Sequence, residues 1–204
     1  MMIVKTQNVL KPRMANPAFI LAEGMQALLA LGKAVEQSEV PATTIGLVTL
    51  RASQINGCSV CVDMHCRNLQ EEGETDERIF ATAAWRDAPY FTEAERAALE
   101  LSEAVTRLAD QPDPVSDAIW QEAAKHYDEK ALAALITAIA LVNIWNRFNV
   151  ATRQIAGERA RSTRHEGGAA LPNAELGPAS VIDLVQRNEG LILEKGQIGN
   201  RQES

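Results

Sequence analysis

Cys58, Cys61, His65 and Cys66 crowd into nine consecutive positions of this chain, and they are all of its cysteines and one of its three histidines. A helix advances about 100° per residue, so positions 58, 61 and 65 fall within an arc of roughly 60° and share one face. Two thiols and an imidazole so placed can act together. Cys58 follows the turn signal Asn56-Gly57 at the start of a helix, where free backbone N–H groups and the positive end of the helix dipole favour a thiolate. His65, one turn beyond Cys61, is placed to accept that cysteine's proton or to deliver one to a leaving oxygen. Cys66 is turned about 140° from Cys61 and stays outside the candidate site.

Other readings of the cluster are weighed against this one. A helical cysteine is often a small buried hydrophobe, and a single histidine is often an ordinary core or surface residue. Two thiolates and an imidazole also suit zinc, but a closed zinc site wants a fourth ligand, and neither His126 nor His165 is paired with the motif. Redox chemistry is the reading that uses all three residues, with no metal and no cofactor assigned. All three cysteines lie too close together to staple distant parts of a fold.

Helices must position these groups. Asn16-Pro17 opens a helix with an apolar stripe at Leu21, Met25, Leu28, Leu29 and Val35, and Pro41 opens a second that runs to Asn56-Gly57. The motif helix follows from Cys58 to about Glu72, with Gly73 as its stop. Thr75 caps a fourth helix through Trp85, and Thr92-x-x-Glu95 is a capping box for a fifth. Ser116 caps a sixth to Tyr127, and Asp128 a seventh that runs towards Trp145. That seventh helix is apolar nearly all round between Ala131 and Ile144, which predicts a central position or a subunit interface. The expectation is an all-α protein: one compact domain of six to seven helices over residues 1–155, and a partly irregular extension over 156–204. Within the extension, Val181, Ile182, Leu184, Val185, Leu191 and Ile192 suggest one short amphipathic segment.

Composition supports this and narrows the partners. Of the 204 residues, 46% are hydrophobic but only 4% aromatic, which suits close helix packing, and the formal net charge of -7 opposes a broad phosphate-binding surface. No nucleic-acid partner and no membrane partner is expected, since no segment approaches the roughly 18 uninterrupted apolar residues of a span. The expected location is the cytoplasm. The exposed area of so apolar a seventh helix predicts a homo-oligomer.

The stretch from Leu47 to Trp85, LVTLRASQINGCSVCVDMHCRNLQEEGETDERIFATAAW, resembles the alkylhydroperoxidase D-like branch of the carboxymuconolactone decarboxylase superfamily. The likeness continues through APYFTEAERAALELSEAVTRL and AIALVNIWNRFNVATR, so it covers about Pro17 to Arg153. The resemblance implies an all-helical fold whose protomers pair and assemble as dimers, trimers or hexamers. It implies a thiol-dependent peroxidase or disulfide oxidoreductase with an antioxidant role, in which Cys61 attacks a peroxide near His65 and Cys58, the more exposed cysteine, resolves it as a disulfide. A dihydrolipoyl or thioredoxin-like protein would be the dithiol reductant. The thiol pair argues against lactone decarboxylation.

Two positions depart from that family's pattern. Where it carries a relay glutamate twelve residues before the first cysteine this chain has Gly46, and Val60 stands where a histidine is usual between the cysteines. Loss of the relay carboxylate makes a weakened redox sensor or assembly module of the same fold the alternative reading. If Gly46 faces the site, Gly46→Glu is expected to restore a carboxylate beside His65 without loss of stability.

Overall fold

A computed structural model describes residues 10–157. Among them are eight α-helices, one 3-10 helix and no strand: α1 Pro17–Ile20, α2 Ala22–Glu36, α3 Ala42–Ile55, α4 Ser59–Glu71, α5 Asp76–Ala81, the 3-10 helix Thr82–Asp87, α6 Glu93–Thr106, α7 Asp117–His126 and α8 Glu129–Thr152. The all-α expectation holds. The Val181–Ile192 segment and all of the extension beyond residue 157 lie outside the described residues.

Most helix starts follow from side chains that satisfy otherwise free N–H groups. Asn16 accepts from the Ala18 N–H, Thr75 from Arg78, Ser116 from Ile119 and Asp128 from Ala131. Thr92 and Glu95 close a reciprocal capping box at α6. Gly73 follows α4 with φ +85°, the left-handed conformation that glycine adopts without a Cβ penalty. The expected first helix is divided in two at Leu21 (φ -99°, ψ 82°), and nothing in its contacts accounts for the break. The expected fourth helix tightens into a 3-10 helix after Ala81, with Ala84 off the helical backbone. The largest difference is α8, which runs seven residues past Trp145 to Thr152.

α3 is the hub, packed against α4, α6 and α8. On one flank Val48 meets Ala98 and Leu101 of α6 and Leu135 and Ile139 of α8; on the other, Leu47 and Leu50 meet Leu69 of α4, Trp85 and Leu99. A smaller cluster joins Ala18 and Met25 to Trp145 and Phe148 of α8. α8 is long and apolar enough to cross a membrane by length and composition alone, but half of its apolar window is buried and it packs on α2, α3 and α6. The other half of that window is not buried within one chain. Exposed apolar side chains include Val150 of α8 and, at the junction of α1 and α2, Phe19, Ile20 and Leu21.

One polar cluster ties the hub to its surroundings. Glu103 of α6, only 6% exposed, accepts hydrogen bonds from Arg51 Nε of α3 at 2.7 Å, Trp85 Nε1 at 2.9 Å and Arg86 Nη1 at 2.7 Å. Burial pushes its carboxyl up, but the bonds from Arg86, Trp85 and Arg51 outweigh this and hold it below the usual carboxylate range. Glu103→Ala leaves the Arg51 guanidinium and the indole N–H without their acceptor. It is expected to lower unfolding stability by about 3 kcal/mol, read as a lower urea midpoint, because an uncompensated buried charge costs more than the pair gains.

Candidate active site

The turn between α3 and α4 builds the site. α3 closes on Asn56, Gly57 takes φ +66°, and Cys58 then becomes the N-cap of α4, not a residue of its first turn as expected. The Cys58 N–H donates to the Ser53 carbonyl at 3.0 Å, and Cys58 Sγ accepts from the Cys61 N–H at 3.3 Å. Cys58 and Cys61 are joined as a disulfide with their Cα atoms 5.3 Å apart. Each is 1% exposed, so Cys58 is not the more exposed of the two. What separates them is a cleft of about 180 Å³, lined by Gly57, Cys58, Val60, Asn149 and Arg153 among others but not by Cys61. Cys66, half-buried and a free thiol, takes no part; burial and the neighbouring Asp63 push its thiol up.

His65 lies 6% exposed in α4, and its Nδ1 is 3.3 Å from Thr49 Oγ1 of α3. The Thr49 hydroxyl also lies 2.8 Å from the Ile45 carbonyl and 3.0 Å from that of Gly46, which accept its single proton. Its contact with the ring therefore needs Nδ1–H as donor, which leaves Nε2 an unprotonated acceptor. Nε2 is buried with no hydrogen-bond partner. Burial lowers the imidazole pKa to about 4, so the ring is neutral at physiological pH. A neutral, unpartnered Nε2 is an open hydrogen-bond acceptor beside the motif.

Asparagines that sequence reasoning missed hold this turn against α8. Asn56 Nδ2 donates to Asn143 Oδ1 at 2.9 Å and to Asn146 Oδ1 at 2.8 Å, and Asn146 Nδ2 reaches Ser53 Oγ at 3.1 Å. Asn149 Nδ2 donates to Cys61 Sγ at 3.2 Å. The signal was present as Asn143, Asn146 and Asn149 at spacings of three on an otherwise apolar helix, but the helix was expected to stop near Trp145. Among the described residues, no group of three or more His, Cys, Asp or Glu side chains is arranged to hold a metal.

Comparison with known proteins places this geometry. The carboxymuconolactone decarboxylase family matches residues 22–104. The uncharacterized protein YdfG of Bacillus subtilis is 37% identical over 143 residues, which is 70% of this chain and 93% of the relative. A crystal structure from Agrobacterium tumefaciens, of a protein of unknown function linked by its describers to AhpD antioxidant defence, superposes with a TM-score of 0.67 at 34% identity, covering 72% of this chain and 98% of that one. This chain belongs to the carboxymuconolactone decarboxylase family, in its alkylhydroperoxidase D-like branch. The fold is shared more widely: the debrominase Bmp8 matches with a TM-score of 0.62 at 21% identity over 72% of this chain and 78% of its own.

Within that family the anomaly at Gly46 has a physical explanation. A Cβ built on Gly46 would stand 2.5 Å from Leu69 Cδ2 and 3.0 Å from Leu69 Cγ, and Leu69 is 1% exposed. The space beside Gly46 is filled by leucine, and Thr49 one turn on supplies the partner of His65. The expectation that Gly46→Glu is accepted without loss of stability is corrected accordingly. That variant should lose about 2 kcal/mol or more from overpacking, despite a gain of about 1 kcal/mol in helix propensity. Gly46→Glu with Leu69→Ala should cost less than the sum of the two single changes in urea unfolding, since one substitution makes the room the other needs.

His65 generates a pH prediction. Its pKa is about 4 folded and 6.5 by reference, so the unfolded chain binds more protons between those values. Stability from the neutral ring is present above pH 6.5 and is lost as pH falls towards 4, by up to about 3 kcal/mol at roughly 1.4 kcal/mol per pH unit. Urea midpoints measured across this window should fall steeply in the parent and more gently in His65→Asn.

Proposed function

We propose that this chain is a thiol-dependent peroxidase and disulfide oxidoreductase that cycles through the Cys58–Cys61 disulfide. The observation that carries the reading is a bonded thiol pair at the start of α4 with a neutral, buried imidazole one turn beyond Cys61. Family membership supports it. In the proposed cycle Cys61 thiolate attacks the peroxide ROOH, the O–O bond breaks, and Cys61–SOH forms with release of ROH once the leaving oxygen takes a proton. The Cys58 thiol then displaces hydroxide from the sulfenic sulfur, giving the disulfide and water. His65 Nε2 serves as the proton carrier between the Cys61 thiol and the leaving oxygen. A dithiol, in our reading a dihydrolipoyl or thioredoxin-like protein, returns two electrons and resets the pair. We place the working form in the cytoplasm as a homo-oligomer.

Reduced protein given one equivalent of peroxide should lose both thiols and gain the Cys58–Cys61 bond, seen by peptide mass. Cys61→Ser should abolish peroxide consumption, while Cys58→Ser should leave a sulfenic acid on Cys61 that dimedone traps. Free thiols at both positions after treatment would overturn the reading. One observation favours a second reading: Leu69 fills the place of the relay carboxylate, which suits a disulfide used as a redox switch instead of a fast catalyst. Stopped-flow oxidation no faster than that of free cysteine would decide for the switch.

A further inference from the structure

The sulfur of Cys61 receives a hydrogen bond from a side chain whose orientation is set by a chain of contacts reaching back to the first helix. Asn149 Nδ2 lies 3.2 Å from Cys61 Sγ, and Asn149 Oδ1 lies 2.8 Å from Asn16 Nδ2. Asn16 Oδ1 accepts the backbone N–H of Ala18 at 2.9 Å. A backbone N–H cannot exchange roles, so Asn16 must present its oxygen to Ala18 and its amide nitrogen to Asn149. Asn149 must then offer its oxygen to Asn16, which leaves its N–H directed at the sulfur. Asn16 is 5% exposed, so water does not readily replace it in this chain of contacts.

The cleft gives that N–H a use. Cys58 and Asn149 line the cleft and Cys61 does not, so an incoming thiolate reaches the Cys58 sulfur. Attack there forms a mixed disulfide on Cys58 and breaks the Cys58–Cys61 bond, and the electron pair leaves on Cys61 Sγ. We propose that Asn149 is a catalytic residue of the thiol–disulfide cycle, its amide N–H bearing on the charge that Cys61 Sγ carries whenever the disulfide is open, and that Asn16 is the positioning residue that keeps this amide turned towards the sulfur. This rests on the oxidoreductase reading and names the group that would make Cys61 both the better leaving thiolate and the better peroxide nucleophile. Cys58 Sγ has its own donor in the Cys61 N–H, a backbone group no side-chain substitution removes. Arg153 lines the cleft and His65 lies on α4 with Cys61, and both are kept in every variant below.

The test is the pH dependence of alkylation of each thiol in fully reduced protein, with Cys66→Ser as the common background and each position read by peptide mass. Asn149→Ala should raise the Cys61 midpoint by about one pH unit, a roughly tenfold loss of thiolate near neutral pH, with a smaller change at Cys58. Asn16→Ser separates positioning from structure: serine caps a helix as asparagine does and adds no charge, so the urea midpoint should change little, but it has no amide N–H for Asn149 and should also raise the Cys61 midpoint. Reduction of the oxidised protein by dithiothreitol should slow in both variants. A Cys61 midpoint unchanged in both folded variants overturns the proposal. Because the titration uses no peroxide, a parent that fails to consume peroxide would overturn the peroxidase reading alone, and the thiol midpoints would still decide the role of Asn149.

Discussion

The amide of Asn56 donates to two side chains of α8, Asn143 and Asn146, and this contact determines where the disulfide sits. Asn56 ends α3 and Cys58 begins α4, so fixing the turn between them to α8 fixes the origin and direction of the motif helix. Burying amides beside an apolar core costs free energy unless every donor and acceptor is used. Ser53, Thr106 and Arg147 are further partners of the cluster. The same length of α8 then delivers Asn149 to the Cys61 sulfur, one turn beyond Asn146.

Around this anchor the molecule keeps the imidazole of the motif helix uncharged. His65 is neutral because it is buried, and its Nδ1 contact is with a hydroxyl instead of a carboxylate. The charged network of Glu103, Arg51 and Arg86 sits on the far side of α3, where each buried carboxylate oxygen meets a cation or an indole N–H. α3 thus has two roles on opposite flanks. One closes a buried ion cluster, and the other supplies Thr49, Ser53 and Gly46 to the thiol site.

Gly46 shows how a single small residue redistributes a site. Without a side chain there, Leu69 of α4 fills the gap beside α3 with apolar packing. The gain is burial in the cluster of Leu47, Leu50 and Leu99, and the polar contact of His65 is left to Thr49.

The sequence by itself was enough for whatever depends on local chemistry. Helix starts at Asn16, Thr75, Thr92, Ser116 and Asp128 were legible because a side chain that accepts from its own helix needs no distant partner. The C-x-x-C pair at the start of a helix was legible from spacing, and the turn at Asn56-Gly57 from residue type. Tertiary structure decided the rest. No local rule shows that Asn149 reaches Cys61 across 88 positions, that Leu69 fills the space at Gly46, or that His65 is buried deeply enough to stay neutral. Burial and long-range hydrogen bonding belong to the packing of whole helices against each other, and a one-dimensional pattern records which face is apolar without recording what that face will meet.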